Sequence, residues 1–244
     1  GGASPAGMSE STSLPTGGLA VVVGASGTIG GALASQLRSD PRFADVVALS
    51  RRSDPPLDLT DEAGVEVAAA HVKGLGQEVR AIYVATGFLH DDAQGPEKTW
   101  RHLDADALAR VFALNAIGPA LVLKHLLPLL PRKGRVEVGV LSARAASIGE
   151  NQLGGWYGYR ASKAALNQLV RSAAAELGRK NKEAVCVTLH PGHVESPLSA
   201  PFGAGGNPTL DPEEAARALT TVVAGLTLAD NVGFFAYDGQ AIPW

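Results

Sequence analysis

The sequence has a single cysteine, which limits both its redox chemistry and its setting. Cys186 lies in the apolar run 184–187, and one thiol cannot close a disulfide within the chain. Because such a run predicts a buried strand, we interpret this thiol as a core residue rather than a reactive group. Nothing in the cysteine content requires an oxidising compartment.

The chain also lacks clusters of charge of one sign. Its 21 basic and 24 acidic residues give a net charge of -3 and are scattered along the chain. Recognition of nucleic acid or of an anionic membrane normally uses a concentrated basic patch. The charge pattern therefore favours a small molecule as the partner and predicts no binding to nucleic acid or membranes.

Long uninterrupted apolar runs are missing as well. The most apolar stretch, 111–130, is interrupted by polar residues and prolines such as Asn115, Pro119 and Lys124. A transmembrane helix needs about 20 predominantly apolar residues, so we do not expect this stretch to cross a membrane. There is no signal-peptide pattern, and we expect the protein to be cytoplasmic.

The opening of the chain is rich in small residues. Seven of them precede Met8, the only methionine. We expect residues 1–18 to be an expression-tag remnant followed by a disordered N-terminus, with one folded domain over 19–244.

From residue 19 onward, short β-branched runs alternate with longer amphipathic or alanine-rich segments. This alternation predicts a single α/β domain, a doubly wound (Rossmann) parallel sheet with helices on both faces. With 244 residues, 45% of them hydrophobic, the chain can bury one large core. The predicted strands are 19–24, 45–50, 78–85, 135–142, 184–190 and 233–237, and the predicted helices are 28–38, 61–73, 104–130, 153–179 and 211–225.

Two stretches fit this alternation poorly. Only 51–56 separates the second strand from Leu57-Asp58-Leu59, which is too short for a helical crossover between parallel strands. Residues 57–59 are therefore either a vestigial third strand or extended loop. The glycine- and proline-rich stretch 196–208 has no periodicity, and its composition fits a mobile lid and a plain surface loop equally well.

A glycine-rich turn follows the first predicted strand and opens the first helix. Gly24, Gly27 and Gly30 are spaced G-x-x-x-G-x-G, a relative of the G-x-G-x-x-G of dinucleotide-binding turns. Such a turn lets the backbone approach a pyrophosphate, while the helix N-terminus supplies N–H donors and a positive dipole end. We interpret it as a nucleotide phosphate site, and a glycine turn without a ligand is the alternative.

The residues after the second strand indicate which nucleotide this would be. An acidic residue there would bind the ribose hydroxyls of NAD, but the strand ends in Ser50 and continues into Arg51 and Arg52. Guanidinium groups offer charge-assisted hydrogen bonds to the 2'-phosphate of NADP, which an aspartate would repel. The pair predicts NADP(H) rather than NAD(H), with solvated loop arginines as the alternative.

Tyr159 and Lys163 lie four residues apart in a predicted helix, so they share one face and can act on one substrate atom. A tyrosine that transfers a proton at neutral pH needs its pKa lowered by about three from its usual value near 10, roughly 4 kcal/mol. A neighbouring ammonium can supply that stabilisation. Alone, a pair at this spacing is more often a solvated pair on a helix surface, and its meaning depends on the other motifs.

Several motifs occur together at or beside the carboxyl ends of the predicted strands, where open α/β sheets bind ligands. They are Gly24-x-x-x-Gly27-x-Gly30, Asn115, Ser142, Tyr159-x-x-x-Lys163 and Pro191-Gly192. In this order and spacing, over residues 19 to about 240, they resemble the short-chain dehydrogenase/reductase family. The ending 234–244, with Leu189-His190-Pro191-Gly192, resembles the branch of C-factor-type cell-cell signalling proteins.

The resemblance implies a role for each catalytic candidate. Tyr159 would exchange a proton with the substrate oxygen, while Lys163 would lower the pKa of Tyr159 and hold the nicotinamide ribose. Ser142 would hydrogen-bond the substrate oxygen, and Asn115 would position a water in a proton relay behind Lys163. The cofactor would carry the hydride, and no metal is implied.

The same resemblance assigns further residues to the cofactor and the substrate. Asp58 matches an acidic residue that contacts adenine, and an N-cap of the next helix is an equally good account of it. The predicted cofactor contacts are Gly24, Ser26, Gly27, Thr28, Ile29, Gly30, Ser50, Arg51, Arg52, Asp58, Leu59, Ala85, Thr86, Gly87, Tyr159, Lys163, Pro191, Gly192, Val194 and Ser196. The predicted substrate pocket is partly apolar and consists of Phe88, Leu89, Asn151, Trp156, His193 and Leu198.

Two features depart from the family pattern. Ala85-Thr86-Gly87 stands where the family commonly has Asn-Ala-Gly, so a side chain that helps to fix the central sheet is missing and Thr86 replaces it only in part. The short connection before residues 57–59 is the other departure.

The favoured interpretation is an NADP(H)-dependent oxidoreductase that interconverts a carbonyl and an alcohol. The family resemblance further implies a homodimer or homotetramer packed through helices 104–130 and 153–179. An NADP-binding regulatory or signalling protein on the same fold is the alternative. A hydrolase built on Ser142 with His190 or His193 is disfavoured, because Ser142 lacks the G-x-S-x-G elbow that exposes a nucleophile. The sequence does not identify the substrate.

Overall fold

Six strands form one parallel sheet in the computed structural model, which describes residues 13–197, 200–203, 206 and 208–244. The eight strands in chain order are β1 (Gly18–Val23), β2 (Phe43–Leu49), β3 (Val79–Val84), β4 (Val136–Leu141), β5 (Ala184–His190), β6 (His193–Val194), β7 (Thr209–Leu210) and β8 (Phe234–Ala236). The sheet has the order β2-β1-β3-β4-β5-β8, and β6 and β7 form a separate parallel pair.

Six α-helices connect the strands. They are α1 (Thr28–Arg38), α2 (Glu62–Gly74), α3 (Ala105–Phe112), α4 (Gly118–Leu126), α5 (Tyr157–Lys180) and α6 (Pro212–Gly225). Aspartates begin three of them by accepting a backbone N–H of the first turn. Asp61 accepts from Gly64 at 3.2 Å, Asp104 from Ala107 at 2.9 Å and Asp211 from Glu214 at 2.8 Å.

The helices cover both faces of the sheet. One buried cluster joins α2, α4 and α5 to one face, and a second joins α1 and α6 to the other. All residues of β1, β3 and β4 are buried, as expected for central parallel strands rich in valine. The predicted doubly wound parallel sheet is therefore confirmed.

Besides shifts of one or two residues at element ends, three predicted segments differ from the structure. The predicted helix 104–130 is interrupted by a π-helical turn, Ala113–Ile117, which separates α3 from α4. The predicted helix 153–179 begins only at Tyr157, because Gly154, Gly155 and Trp156 all have positive φ. Residues 57–59 form extended loop, so the vestigial strand was the wrong alternative, and Leu57 donates its N–H to the Ser50 carbonyl at 2.8 Å.

The chain before residue 19 is partly packed. Leu14 is only 5% exposed and belongs to the core on the α1 and α6 face. The predicted boundary at residue 19 therefore lies inside ordered structure, while residues 1–12, with the predicted tag remnant, fall outside the described residues.

A buried ion cluster lies near the amino ends of the strands. Arg135 is 1% exposed and its Nε donates to Glu137 at 2.8 Å, while its Nη2 donates to the Val223 carbonyl of α6 at 2.9 Å. Arg42, just before β2, reaches the same carboxylate at 3.3 Å. Because buried charges are stable only when paired, the cluster ties β4 to β2 and α6.

One helical segment of the described chain, Ala105–Leu129, is long and apolar enough to cross a membrane, with a mean hydropathy of 1.5 over 18 residues. In this structure Val122, Leu123 and Leu126 of that segment are buried in the core against α2 and α5. The core helix of a globular domain meets the same criterion of length and composition.

Candidate active site

The glycine turn lies at the point where the sheet order reverses. β1 pairs with β2 on one side and with β3 on the other, and ligands bind at such switch points. Gly24 has φ +90°, and a Cβ there would lie 2.6 Å from the Ala85 carbonyl, while a Cβ on Gly30 would lie 2.0 Å from the Gly24 carbonyl. Only glycine permits this packing at either position.

The first turn of α1 starts at Gly27 and receives no side-chain cap from any residue that the structure describes. Its N–H groups therefore remain available at the surface of the glycine turn. This is the arrangement that binds a phosphate group in dinucleotide-binding proteins.

Arg51 and Arg52 are exposed on a tight turn after β2. The Ser50 hydroxyl accepts the Arg52 N–H at 3.1 Å, and the Ser53 hydroxyl donates to the Ser50 carbonyl at 2.8 Å. These bonds fold the backbone back on itself, which directs both guanidinium groups away from the core.

Asp58 forms a local turn beyond these arginines. Its Oδ1 accepts the Thr60 N–H at 2.9 Å and the Thr60 hydroxyl at 2.7 Å. These hydrogen bonds, with a smaller contribution from Arg51, lower the pKa of Asp58. The N-cap of α2 is Asp61, so the N-cap account of Asp58 was wrong, and its contact with adenine stays a prediction.

Ser142, Tyr159 and Lys163 converge at the carboxyl ends of the central strands. Ser142 follows β4, donates its N–H to the Leu189 carbonyl at 2.7 Å, and has a buried hydroxyl without a partner among the described residues. Lys163 is 2% exposed and reaches from α5 to the Leu141 carbonyl at 3.4 Å. Tyr159 lies one turn earlier on α5, and it lines the same cleft as Ser142.

Burial acts in opposite directions on the two titratable groups. Packing of protein around the half-buried Tyr159 ring raises its pKa to about 12, and burial lowers the pKa of Lys163 to about 8. Desolvation favours the neutral form of each group, and no hydrogen bond joins the pair within the described chain. In this structure desolvation alone shifts the pKa of Tyr159, which holds its proton at neutral pH, and the lowering of that pKa by Lys163 stays a prediction.

Asn115 lies fully buried in the π-helical turn. Its Oδ1 accepts the Phe88 N–H at 2.7 Å, and its Nδ2 donates to the Phe88 carbonyl at 2.8 Å and to the Ser162 hydroxyl at 3.1 Å. The side chain thus fastens the loop after β3 to α5. π-helical turns occur frequently at functional sites, and the relay role of Asn115 stays a prediction.

The loop after β3 departs from the family pattern at Thr86. The Thr86 hydroxyl is buried and makes no hydrogen bond to any described residue. The neighbouring Ala85 N–H instead donates to the Val23 carbonyl at 2.8 Å, so backbone alone joins β1 and β3 at this level.

A cleft of about 500 Å³ opens above Ser142 and Tyr159, a volume typical of small-molecule sites. Several predicted cofactor and substrate residues line it together: Ile29, Leu89, Trp156, Pro191, Gly192, His193, Val194 and Ser196.

Two predicted pocket residues lie elsewhere, and one is outside the described residues. The Phe88 ring packs under the Arg110 guanidinium, 4.7 Å from the ring centroid, because Asn115 holds its backbone in place. Asn151 is exposed and accepts the Gly154 N–H at 3.0 Å, within the loop that leads to α5. Leu198 lies outside the described residues.

Sequence reasoning missed much of the cleft wall. Arg144, Ala145, Phe202, Tyr237, Asp238 and Gln240 also line it. Residues 237–240 follow β8, so the rule that the carboxyl ends of parallel strands share an edge was sufficient to find them. Phe202 had no such signal, because it lies in a stretch without periodicity.

His190 lies beside Ser142 but is not arranged as a base. Its Nδ1 accepts the Arg144 N–H at 3.1 Å, which places the ring proton on Nε2. Burial, and secondarily Arg144, lowers the pKa of His190 to about 4. The imidazole is therefore neutral at physiological pH. The Ser142 hydroxyl has no hydrogen-bond partner among the described residues, so neither His190 nor His193 is bonded to it as a hydrolase base would be.

A series of aromatic contacts adjoins Tyr159 in the cleft. Trp156 contacts Tyr159 edge-on at 5.9 Å between ring centroids and Phe202 at 5.3 Å, and Phe202 contacts His90 at 5.2 Å. These contacts link Tyr159 to the loop after β3 and to the segment that carries Phe202. No group of three or more possible metal ligands occurs in the described part of the chain.

The parallel sheet, the glycine turn and the Ser142, Tyr159 and Lys163 cluster define an oxidoreductase of the short-chain dehydrogenase/reductase type. A family profile described as enoyl-(acyl carrier protein) reductase matches residues 32–241. The chain belongs to the short-chain dehydrogenase/reductase family, as its motifs predicted.

Particular relatives refine this placement. The chain is 32% identical to 1-hydroxy-2-glutathionyl-2-methyl-3-butene dehydrogenase of Rhodococcus sp. (strain AD45), over 82% of this chain and 84% of that protein. It is 36% identical to C-signal of Myxococcus xanthus over 58% and 81%, in agreement with the predicted C-factor-type resemblance. A solved structure from Burkholderia multivorans with bound NADP has a TM-score of 0.75 and 26% identity, covering 93% of this chain and 99% of its own.

Proposed function

We propose that the protein is an NADP(H)-dependent oxidoreductase that interconverts a carbonyl and an alcohol, with Tyr159 as the acid and base. The observation that carries this proposal is the shared cleft of Ser142 and Tyr159, in which the Ser142 hydroxyl is buried without a partner among the described residues. A buried hydroxyl without a partner is costly, so a substrate oxygen that pairs with it would stabilise the complex. The similar dehydrogenase from Rhodococcus supports the reaction class.

The described residues fit NADP(H) on three counts. The glycines at 24 and 30 leave no room for a Cβ, the first turn of α1 has free N–H groups, and two arginines follow β2. Arg51 and Arg52 would hold the 2'-phosphate, and the first turn of α1 would hold the pyrophosphate. The bound NADP of the similar Burkholderia protein supports this choice.

When bound, the reduced cofactor supplies hydride to the carbonyl carbon of the substrate. Ser142 would donate a hydrogen bond to the carbonyl oxygen, which fixes the substrate and stabilises the charge that develops there. Tyr159 would donate its proton to the same oxygen, because its raised pKa keeps it protonated at neutral pH. The ammonium of Lys163, held at the end of β4, would stabilise the resulting phenolate.

The test is a panel of aldehydes and ketones, read by NADPH consumption at 340 nm, for the parent protein and Tyr159→Phe. We expect the parent to turn over at least one carbonyl and the variant to lose at least about 10²-fold in kcat, the lower end of what a general acid contributes. Cofactor affinity, measured by fluorescence titration, should change less than about twofold. Equal kcat for the two proteins would refute the assignment of Tyr159.

The similarity to C-signal favours a second candidate, an NADP-binding signalling protein with little turnover. The same panel separates the two: a signalling protein would bind NADPH and consume none with any carbonyl.

We also propose a cytoplasmic homodimer or homotetramer that takes a small-molecule substrate. A reaction that consumes NADPH needs a compartment that regenerates it, and the groove between α4 and α5 presents apolar side chains to solvent in the isolated chain.

A further inference from the structure

The helix that carries Tyr159 and Lys163 begins without a cap from its own sequence. Gly154, Gly155 and Trp156 lead into α5 with φ of 66°, 68° and 53°, and no side chain at the N-cap position bonds the first turn. The first N–H groups of a helix have no intrahelical acceptor, so a partner from elsewhere in the chain is needed.

Glu97 supplies that partner from 61 residues upstream. Its carbonyl accepts the Trp156 N–H at 2.6 Å, and its Oε2 accepts the Gly158 N–H at 2.8 Å. One residue thus binds the backbone on both sides of the start of α5, directly before Tyr159. A carboxylate at this position also interacts favourably with the positive end of the helix dipole.

The fit between Glu97 and α5 is close. A Cβ placed on Gly158 would lie 3.0 Å from the Glu97 Oε2 and 3.1 Å from Leu108 Cδ2. The carboxylate therefore sits against bare backbone, in a space that exists because residue 158 is glycine. This packing fixes where the first turn of α5 lies, in addition to satisfying its N–H groups.

The loop that carries Glu97 is itself fastened to the frame of the protein. Asn115 holds Phe88 at its start, Asp91 pairs with Arg110 of α3, and Gln94 Nε2 donates to the Ala107 carbonyl at 3.1 Å. Three separate bonds to the α3 region and the π-helical turn thus precede Glu97. The position of Glu97, and through it the start of α5, is set by the loop after β3.

We propose that Glu97 is a positioning residue for Tyr159: it sets the place of the tyrosine hydroxyl in the cleft by holding the N-terminus of α5. The inference rests on the proposed function of Tyr159 as proton donor. Proton transfer requires hydrogen-bond distance, and displacements of about 1 Å can cost about 10²-fold in rate. Loss of the Glu97 carboxylate would therefore act on kcat, while cofactor binding, centred on α1 and β2, would change little.

The experiment compares three variants on a substrate that the parent reduces. Glu97→Ala removes the acceptor for the Gly158 N–H, and we expect kcat to fall at least about tenfold with the KM for NADPH within about twofold. Glu97→Gln keeps an oxygen acceptor and should recover most of kcat. Asp61→Ala removes the corresponding carboxylate cap of α2. This matched control should lower the melting temperature comparably and keep the parent kcat.

A second variant tests the same contact with Glu97 in place. Gly158→Ala introduces the Cβ that would crowd Oε2 and should lower kcat in the same way. It keeps the proposal testable if Glu97→Ala does not fold. Parental kcat in folded Glu97→Ala or in Gly158→Ala, or an equal loss in Asp61→Ala, would overturn the positioning role.

A measurement without turnover separates this inference from the proposed function. Amide hydrogen exchange over residues 157–163 should be faster in Glu97→Ala than in the parent, restored in Glu97→Gln and unchanged in Asp61→Ala. If Tyr159→Phe stays active, the proposed function fails whatever the exchange shows. If Tyr159→Phe is inactive while Glu97→Ala keeps kcat and exchange rates, only the positioning role fails.

Discussion

At the scale of single residues, burial shifts the pKa values of the two titratable catalytic candidates in opposite directions. Burial holds Tyr159 protonated and brings the pKa of Lys163 to about 8, close to physiological pH. A pair drawn from sequence spacing alone suggests a tyrosine acidified by a lysine. In the structure the lysine is bound to the Leu141 carbonyl and is itself desolvated.

The pKa of Lys163 predicts a pH dependence for carbonyl reduction. Lys163 is charged below its pKa, so its support for the phenolate is complete below about pH 7 and is lost as the pH rises through about 8. We expect kcat/KM for reduction to be level at low pH and to decline tenfold per pH unit well above 8, since kcat/KM reports groups of the free enzyme.

A pH-rate profile between pH 6 and about 10 measures this directly, with a buffer series of constant ionic strength. Lys163→Ala is the matched comparison, because without the ammonium the decline near pH 8 should vanish along with most of the activity. A parent profile that stays level to pH 10 would contradict the role of the Lys163 charge.

The residue scale also shows where sequence reasoning stops. Ser142, Tyr159 and Lys163 were predicted to meet because each follows, or packs beside, the end of a parallel strand, and they do meet. Phe88 and Asn151 were placed in the pocket by position in the chain, but the direction of a loop side chain depends on contacts such as those of Asn115 with Phe88. Glu97 could not be found at all, since its partner is 61 residues away.

At the scale of elements, the proposed preference for NADP(H) depends on the residues at the end of β2. The tight turn after Ser50 directs Arg51 and Arg52 away from the core, at the edge of the sheet where the glycine turn lies. No acidic residue occupies the first positions of this turn.

Arg51→Asp should therefore reverse the cofactor preference. A charge-assisted hydrogen bond contributes about 1.5–3 kcal/mol, so we expect NADPH affinity to fall about 10- to 100-fold while NADH affinity stays equal or rises. Arg179→Asp makes the same charge change in the last turn of α5, at the end of that helix away from Tyr159. This matched control should leave both affinities unchanged. Titration of each cofactor, followed by intrinsic fluorescence, gives the ratio of NADPH affinity to NADH affinity. An unchanged ratio in Arg51→Asp would show that Arg51 does not bind the 2'-phosphate.

The strands and helices were predicted better than the points at which a helix is interrupted or begins. All six strands of the sheet and the helices between them follow from the alternation of β-branched and amphipathic runs. The sequence pattern does not indicate the π-helical turn at 113–117, because its apolar residues continue the pattern of α3 and α4. The late start of α5 depends on backbone angles at Trp156, a residue type that seldom adopts positive φ.

At the scale of the whole molecule, an apolar groove between α4 and α5 is open to solvent in the described chain. Leu127 and Leu169 line the groove between α4 and α5, and Leu169 is 42% exposed. Small residues such as Ala120 and Ala173 in the same groove allow another helix to approach closely. This is the face through which the proposed oligomer would form.

Leu169→Glu should convert the oligomer to a monomer. A carboxylate buried at the interface without a partner is strongly unfavourable, so we expect the dissociation constant of the oligomer to rise at least about tenfold. Sedimentation velocity of the parent and the variant measures this, with Val67→Glu, at a 59% exposed position on α2, as the control that should keep the parental state. A monomeric parent, or an oligomeric Leu169→Glu, would contradict the proposed interface.

The buried ion cluster of Arg42, Arg135 and Glu137 lies at the amino ends of the strands, and the reactive groups lie at the carboxyl ends. Rigidity and chemistry are thereby assigned to opposite edges of one sheet. A directed-evolution library confined to the carboxyl edge can change substrate selectivity without drawing on the residues that hold β2, β4 and α6 together. Residues at the carboxyl edge of the sheet can therefore be substituted without loss of the ion pairs that stabilise the amino edge.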